Sequence, residues 1–67
     1  MKIILNGEAH EIQNNINLEN LVKLFNIKKE AIVVEINREI INKKIDWATV
    51  LIKENDEIEF ISFFGGG

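Results

Sequence analysis

A chain of 67 residues with no cysteine and a single histidine has few ways to hold a fold together. A domain of this length buries only about 60% of the surface that its unfolded chain exposes, and scaffolds so small commonly lean on disulfides or a structural metal. Without cysteine there is neither a disulfide nor a Cys-based zinc site, and His10 alone cannot make a histidine-rich one. Cohesion has to come from an apolar core. The 46% of hydrophobic residues, weighted towards strand-favouring isoleucine, can supply one. The length leaves room for one domain.

The distribution of those apolar residues predicts the elements. Met1 to Asn6 alternates, with Ile3 and Leu5 on one face, and Asn6-Gly7 is a two-residue hairpin signal, since both positions of a type I′ turn need positive φ. Glu8 to Gln13 returns as a second strand. After a polar loop over Asn14 to Asn17, Asn17 is a good N-cap. Glu19 in the first turn suits the helix dipole. Leu18, Leu21, Val22 and Phe25 form the stripe of a helix lying on a core, with Leu24 expected to widen it and Asn26 to close it. Ala31 to Ile36 reads as a strand with Ile32, Val34 and Ile36 on one face. Asn37-Arg38 reads as a tight turn into a very short strand, Glu39 to Ile41. Asp46 to Leu51 reads as a helical turn capped by Asp46, carrying Trp47 and Val50 to the core. A turn at Asn55-Asp56 leads into a last strand, Glu57 to Phe64, with Ile58 and Phe60 inward.

One main helix crossing a mixed sheet of four or five strands is an α+β architecture. Its hairpin-then-helix opening resembles the β-grasp of ubiquitin-like proteins. That resemblance implies parallel pairing of the first and last strands at the sheet centre, with a domain over 1–64 and a flexible glycine tail over 65–67.

Charge and composition narrow the function. The net charge is −3, from 8 basic and 11 acidic residues, and the basic pairs Lys28-Lys29 and Lys43-Lys44 fall in expected turns. That is not the footprint of a nucleic-acid binder. The N-terminus enters a strand pattern without a signal-peptide apolar region, and the longest apolar stretches fall far short of the ~20 residues that span a bilayer. A cytoplasmic chain, monomeric by itself, with neither nucleic-acid nor membrane partners, is expected. There is one serine, Ser62, one threonine, Thr49, and no tyrosine, so a catalytic triad is hard to assemble unless His10 and Ser62 lie on neighbouring strands. Gly7 is the only glycine outside the tail, which leaves no phosphate-cradling loop. The acidic run Glu54, Asp56, Glu57 and Glu59 matches no calcium loop and reads as a solvated face. No catalytic residue, metal site or bound cofactor is expected, and the chain is not expected to be an enzyme.

The last three residues stand apart. Gly65, Gly66 and Gly67 are all glycine, which chance alone would give a terminal triplet in fewer than ~0.1% of chains at average glycine usage of about 7%. Without a Cβ, such a tail threads a narrow channel. Extended, it reaches about 10 Å beyond the sheet. A free α-carboxylate at its tip would be ionised at neutral pH. It could attack the α-phosphate of ATP, but only with an ATP site supplied by a partner. On this reading the tail is a substrate handle.

With Ile36-Asn37, Ile40-Ile41, Trp47, Asp56-Glu57-Ile58, Phe60 and Gly66-Gly67 considered together, the sequence resembles the ThiS family, the sulfur carriers of thiamine biosynthesis, over essentially its whole length. The resemblance implies that an E1-like adenylyltransferase of the ThiF type adenylates Gly67 using ATP and Mg²⁺. A cysteine desulfurase or other persulfide donor then supplies sulfur to form a thiocarboxylate, which a thiazole synthase of the ThiG type consumes. Gly66 would be the slender neck, and Ile61, Phe63 and Phe64 the candidate partner contacts. Two features depart from the family pattern: Gly65 is a third glycine where a side chain is more usual, and Phe63-Phe64 is bulkier than usual before the tail. The alternatives are the small subunit of molybdopterin synthase, which uses the same tail chemistry, a protein-conjugating ubiquitin-like modifier, and a β-grasp interaction module with an incidental tail. Modifiers of that kind often carry a basic residue near the diglycine, and none lies between Glu59 and Gly67.

Overall fold

The Asn6-Gly7 turn forms with φ of 49° and 84°, both in the left-handed region that a type I′ hairpin requires. It joins β1 (Lys2–Leu5) to β2 (Glu8–Glu11), antiparallel with Leu5 opposite Glu8 and Lys2 opposite Glu11. The computed structural model describes residues 1–62. Two further bonds between Met1 and Ile12, at 2.6 and 2.8 Å, extend the ladder beyond the strand ends.

Helix α1 (Leu18–Leu24) begins where the cap predicts, with the Asn17 side chain accepting from the Asn20 N–H. It closes through Asn26, whose φ of 58° is the left-handed C-terminal cap conformation. Leu18, Leu21 and Val22 are buried. Each side chain contributes about 1.5–3 kcal/mol relative to exposure. Leu24 does not widen the stripe: it is 52% exposed, because it lies about 110° round the helix from the stripe's centre.

After a short 3-10 turn (Lys29–Ala31), which takes Ala31 out of the expected strand, β3 (Ile32–Ile36) follows. It is joined to β4 (Glu39–Ile40) through Asn37 and Arg38, with φ of 51° and 71°. A second 3-10 segment (Lys44–Thr49) carries Trp47 into the core at 0% exposure. Asp46 is not its cap. The Asp46 N–H already donates to the Lys43 carbonyl at 2.9 Å, so Asp46 lies inside a turn that starts two residues earlier than expected, and Val50 is only half-buried. Strand β5 (Glu57–Ser62) has Ile58 and Phe60 inward. Residues 63 and 64, which the sequence reading added to this strand, lie outside the described residues.

The described residues form a mixed five-stranded sheet in the order β2-β1-β5-β3-β4. β5 is parallel to β1 and antiparallel to β3. One apolar layer, between the sheet and the α1 side, holds Ile3, Leu5, Leu18, Leu21, Val34, Trp47 and Ile58, with Phe25 packed partly against it. Ile16 and Ile52 join them, although Ile16 falls in the segment read as a polar loop. There Asn17 bridges to Leu51, and the Ile52 N–H donates to the Ile16 carbonyl at 3.0 Å.

Asp56, expected on a solvated face, is 8% exposed. Its carboxylate accepts from Asn37 Nδ2 at 3.0 Å and from the Lys53 N–H at 2.8 Å. Asn37 in turn exchanges hydrogen bonds with the Glu57 backbone, its Oδ1 accepting at 3.0 Å and its N–H donating at 2.7 Å. The β3–β4 turn is thereby tied to the start of β5.

Asp56→Ala leaves two partly buried donors unpaired and is expected to cost about 1–3 kcal/mol, read as a lower urea midpoint by the emission of the lone tryptophan, Trp47. A midpoint equal to wild type would show that water replaces the carboxylate at no cost.

Lys29 Nζ, from the 3-10 turn, donates to Oε1 of Glu19 on α1 at 3.1 Å, and Lys23 Nζ lies 3.8 Å from the same carboxylate. The Lys29 hydrogen bond and charge, with Lys23 adding, hold the Glu19 carboxyl below its ordinary value. A group lowered on folding stabilises above its unfolded-state pKa, and the contribution is lost as pH falls through the folded-state one. The difference in urea midpoint between wild type and Glu19→Gln is therefore expected at neutral pH and should close in acid, below the ordinary carboxylate range.

Candidate functional site

The residues proposed from sequence as the site begin on β5 and follow it in the chain, so what fixes that strand comes first. The parallel ladder sets Ile4 opposite Glu57 and Leu5 opposite Ile58. Beyond it the Asn6 side chain continues the pairing, its Oδ1 accepting from the Phe60 N–H at 2.8 Å. Asn6 therefore shapes the hairpin turn and also holds the last strand. On the other flank, all five β3 residues face β5, from Ile36 opposite Ile58 to Ile32 opposite Ser62. Phe60 is buried and stacks edge-on to Phe25, with ring centroids 6.2 Å apart. The root of the C-terminal segment thus rests on a strand paired on both sides.

Of the sequence-derived site residues, Ile61 is described. It lies on the outward face of β5 and is 41% exposed. Phe63, Phe64, Gly65, Gly66 and Gly67 lie outside the described residues. His10 and Ser62 do not meet, because β1 separates their strands. His10 instead sits edge-on to Phe25, with centroids 5.4 Å apart. Among the described residues no group of three or more acidic or histidine side chains is placed to hold a metal ion. No helix there is long and apolar enough to cross a membrane.

Three residues that carried the family resemblance gain physical roles. Asn37 and Asp56 are the two halves of the clamp at the start of β5, and Trp47 is the largest fully buried side chain. Sequence reasoning missed the clamp, although an Asn in a hairpin turn and an Asp just before a strand are the residue types that bond backbone in this way. The Asn6 side-chain bond had no separate signal, because the hairpin turn already accounted for that residue.

A five-stranded mixed sheet covered on one face by one main helix, with the first and last strands parallel at its centre, defines a β-grasp protein. The ThiS family model matches residues 3–67, and the chain belongs to that family. It is 38% identical to the uncharacterized protein ycf40 of Trieres chinensis over 63 residues, 94% of this chain and 85% of that one. It is also 36% identical, over its whole length, to a thiazole synthase of Magnetococcus marinus, of which it spans only 20%. The crystal structure of the thiamine biosynthesis protein ThiS from Geobacter metallireducens superposes with a TM-score of 0.86 at 26% identity, with both chains wholly covered.

The two neighbours on β5 are expected to respond differently to truncation. Phe60→Ala should cost about 3–5 kcal/mol, as for large aromatic residues removed from a core. Ile61→Ala should cost under about 1 kcal/mol, because it removes an exposed strand residue. Urea denaturation of both variants checks the contrast, and equal losses would mean that Ile61 is packed rather than presented.

Proposed function

We propose that the chain is a sulfur carrier whose Gly67 carboxylate is activated and sulfurated by partner enzymes, and that it is not itself an enzyme. The observation that carries the reading is family membership over residues 3–67, a span that includes Gly65, Gly66 and Gly67. The body of the fold suits a passive role. Its one histidine packs on an aromatic ring, and its buried carboxylate at Asp56 is engaged by Asn37 and the Lys53 N–H.

In this reading an E1-like adenylyltransferase binds ATP and Mg²⁺. The Gly67 carboxylate oxygen attacks the α-phosphate, pyrophosphate leaves, and an acyl-adenylate forms. A persulfide sulfur from a cysteine desulfurase or similar donor then displaces AMP. Cleavage of the resulting acyl disulfide by a thiol leaves the thiocarboxylate. The Gly65-Gly66 neck, without side chains, lets the tip enter the activating site. Thiamine thiazole formation is favoured over molybdopterin synthesis as the destination. The family is ThiS, and in the Magnetococcus marinus relative a unit similar to this chain is part of a thiazole synthase polypeptide. A thiazole synthase is accordingly the proposed sulfur acceptor, and residues Ile61, Phe63 and Phe64 the proposed contacts beside the tail.

Intact mass spectrometry after incubation with the organism's E1-like enzyme, ATP, Mg²⁺, cysteine and a desulfurase tests the proposal. One terminal oxygen replaced by sulfur is expected, with complete loss of the product when Gly67 is deleted. A mass unchanged by every candidate activator would leave the chain as a binding module with an incidental tail.

A further inference from the structure

The parallel ladder between β1 and β5 stops short of the end of β5. The Ile4 N–H donates to the Asp56 carbonyl and the Asn6 N–H to the Ile58 carbonyl, each at 2.9 Å. The next donor on that edge, the Phe60 N–H, has no strand carbonyl to meet, because the chain turns back at Asn6-Gly7. The Asn6 side chain stands in for one, its Oδ1 accepting at 2.8 Å across 54 positions of sequence. On the other edge β3 stays paired as far as Ile32 opposite Ser62. From Phe60 onward, then, β5 is held on one edge by a strand and, among the described residues, on the other by this single amide. A strand held along one edge can pivot about it, and a bond on the opposite edge removes that freedom.

We propose that Asn6 is a positioning residue for activation of the tail: by fixing the β1 edge of β5 at Phe60, it sets the direction of the strand from which the chain runs on to Gly67. The role rests on the carrier reading above. The hairpin by itself does not demand this side chain, since Gly-Gly and Asp-Gly also make type I′ turns. The acceptor at Oδ1 is an addition to the turn, and it is spent on the last strand. Asn6 acts through the Phe60 backbone and needs no contact with ATP or with the reacting carboxylate. Its contribution is therefore to rate rather than to affinity. A tip whose root is fixed has less orientational freedom to lose on reaching the geometry of attack, and a small misplacement far from the chemistry slows the step.

The probe is the E1-like adenylyltransferase of the same organism. Its affinity for the carrier is measured by calorimetry without ATP. The single-turnover rate of acyl-adenylate formation is measured at saturating enzyme with ATP and Mg²⁺. Asn6→Gly keeps the turn and deletes the acceptor, and is expected to lower the rate about 3- to 10-fold with Kd unchanged. Asn6→Asp keeps both the turn and an acceptor for the Phe60 N–H, and is expected to restore the rate to within about 2-fold of wild type. Asp56→Ala loosens the start of β5 instead and is expected to leave the rate unchanged, which separates positioning from a general loss of stability. Urea midpoints show that each variant is folded under the assay conditions. A wild-type rate in Asn6→Gly, a raised Kd there, no rescue by Asn6→Asp, or an equal loss in Asp56→Ala overturns the positioning role and leaves the carrier reading intact. A wild-type chain that no candidate activator adenylates overturns both.

Discussion

The pairing of β5 with two partners at once is the constraint on which the rest of the molecule depends. Its parallel ladder with β1 cannot be closed by a tight turn, since parallel neighbours need a long crossover. Everything between Leu5 and Glu57 therefore serves as that crossover. In the folded sheet β5 fills the gap at the centre, with the hairpin on one side and β3 on the other. The pairings of β5 are consequently long-range, and the Phe60 N–H reaches back across the chain to the Asn6 side chain. The position of β5 is thus defined by its register with β1 and β3 together.

That central strand is located by polar devices as much as by apolar ones. Among the described residues, asparagine occupies five of the six positive-φ positions held by residues other than glycine. Asparagine tolerates the left-handed region better than most residues and brings a side-chain amide that glycine lacks. At Asn6 and Asn37 both properties are used. The backbone makes the turn while the side chain bonds the β5 backbone, at Phe60 in one case and Glu57 in the other. Glycine at either position would keep the turn and lose the tether. The buried carboxylate of Asp56 completes the second tether by orienting the Asn37 amide.

Most of the fold was legible in the sequence because its elements announce themselves locally. The Asn6-Gly7 hairpin, the Asn17 cap, the Leu18–Leu21–Val22 stripe, the alternation of β3 and the inward Ile58 and Phe60 all follow from period and turn chemistry. The parts that were not legible depend on tertiary partners. Asp56 sits in an acidic run that looks solvated, and only the distant Asn37 and the Lys53 backbone reveal why it is buried. Ile16 looks like an isolated apolar residue in a polar loop until Ile52 pairs with it. The helical turn that buries Trp47 was legible but its start was not: Asp46 looks like a cap, whereas the 3-10 segment begins at Lys44 with no side-chain bond capping it. The glycines of the candidate site stood out by composition alone. The opposition of Glu35 and Glu59 is a matter of register, which no local pattern fixes.

The two faces of the sheet follow different rules. On the inner face polar groups are few and engaged. The one exception among the described residues is the Trp47 indole N–H, buried without a hydrogen-bond partner there. Leaving such a donor unpaired costs about 1–3 kcal/mol. The indole nevertheless remains, with its ring filling the space under α1 and the ammonium groups of Lys29 and Lys44 lying 5.8 and 5.9 Å from its centroid. On the outer face, by contrast, opposite-charge pairs at positions 35 and 59 would stabilise the sheet, yet both are glutamate and stand directly opposite one another.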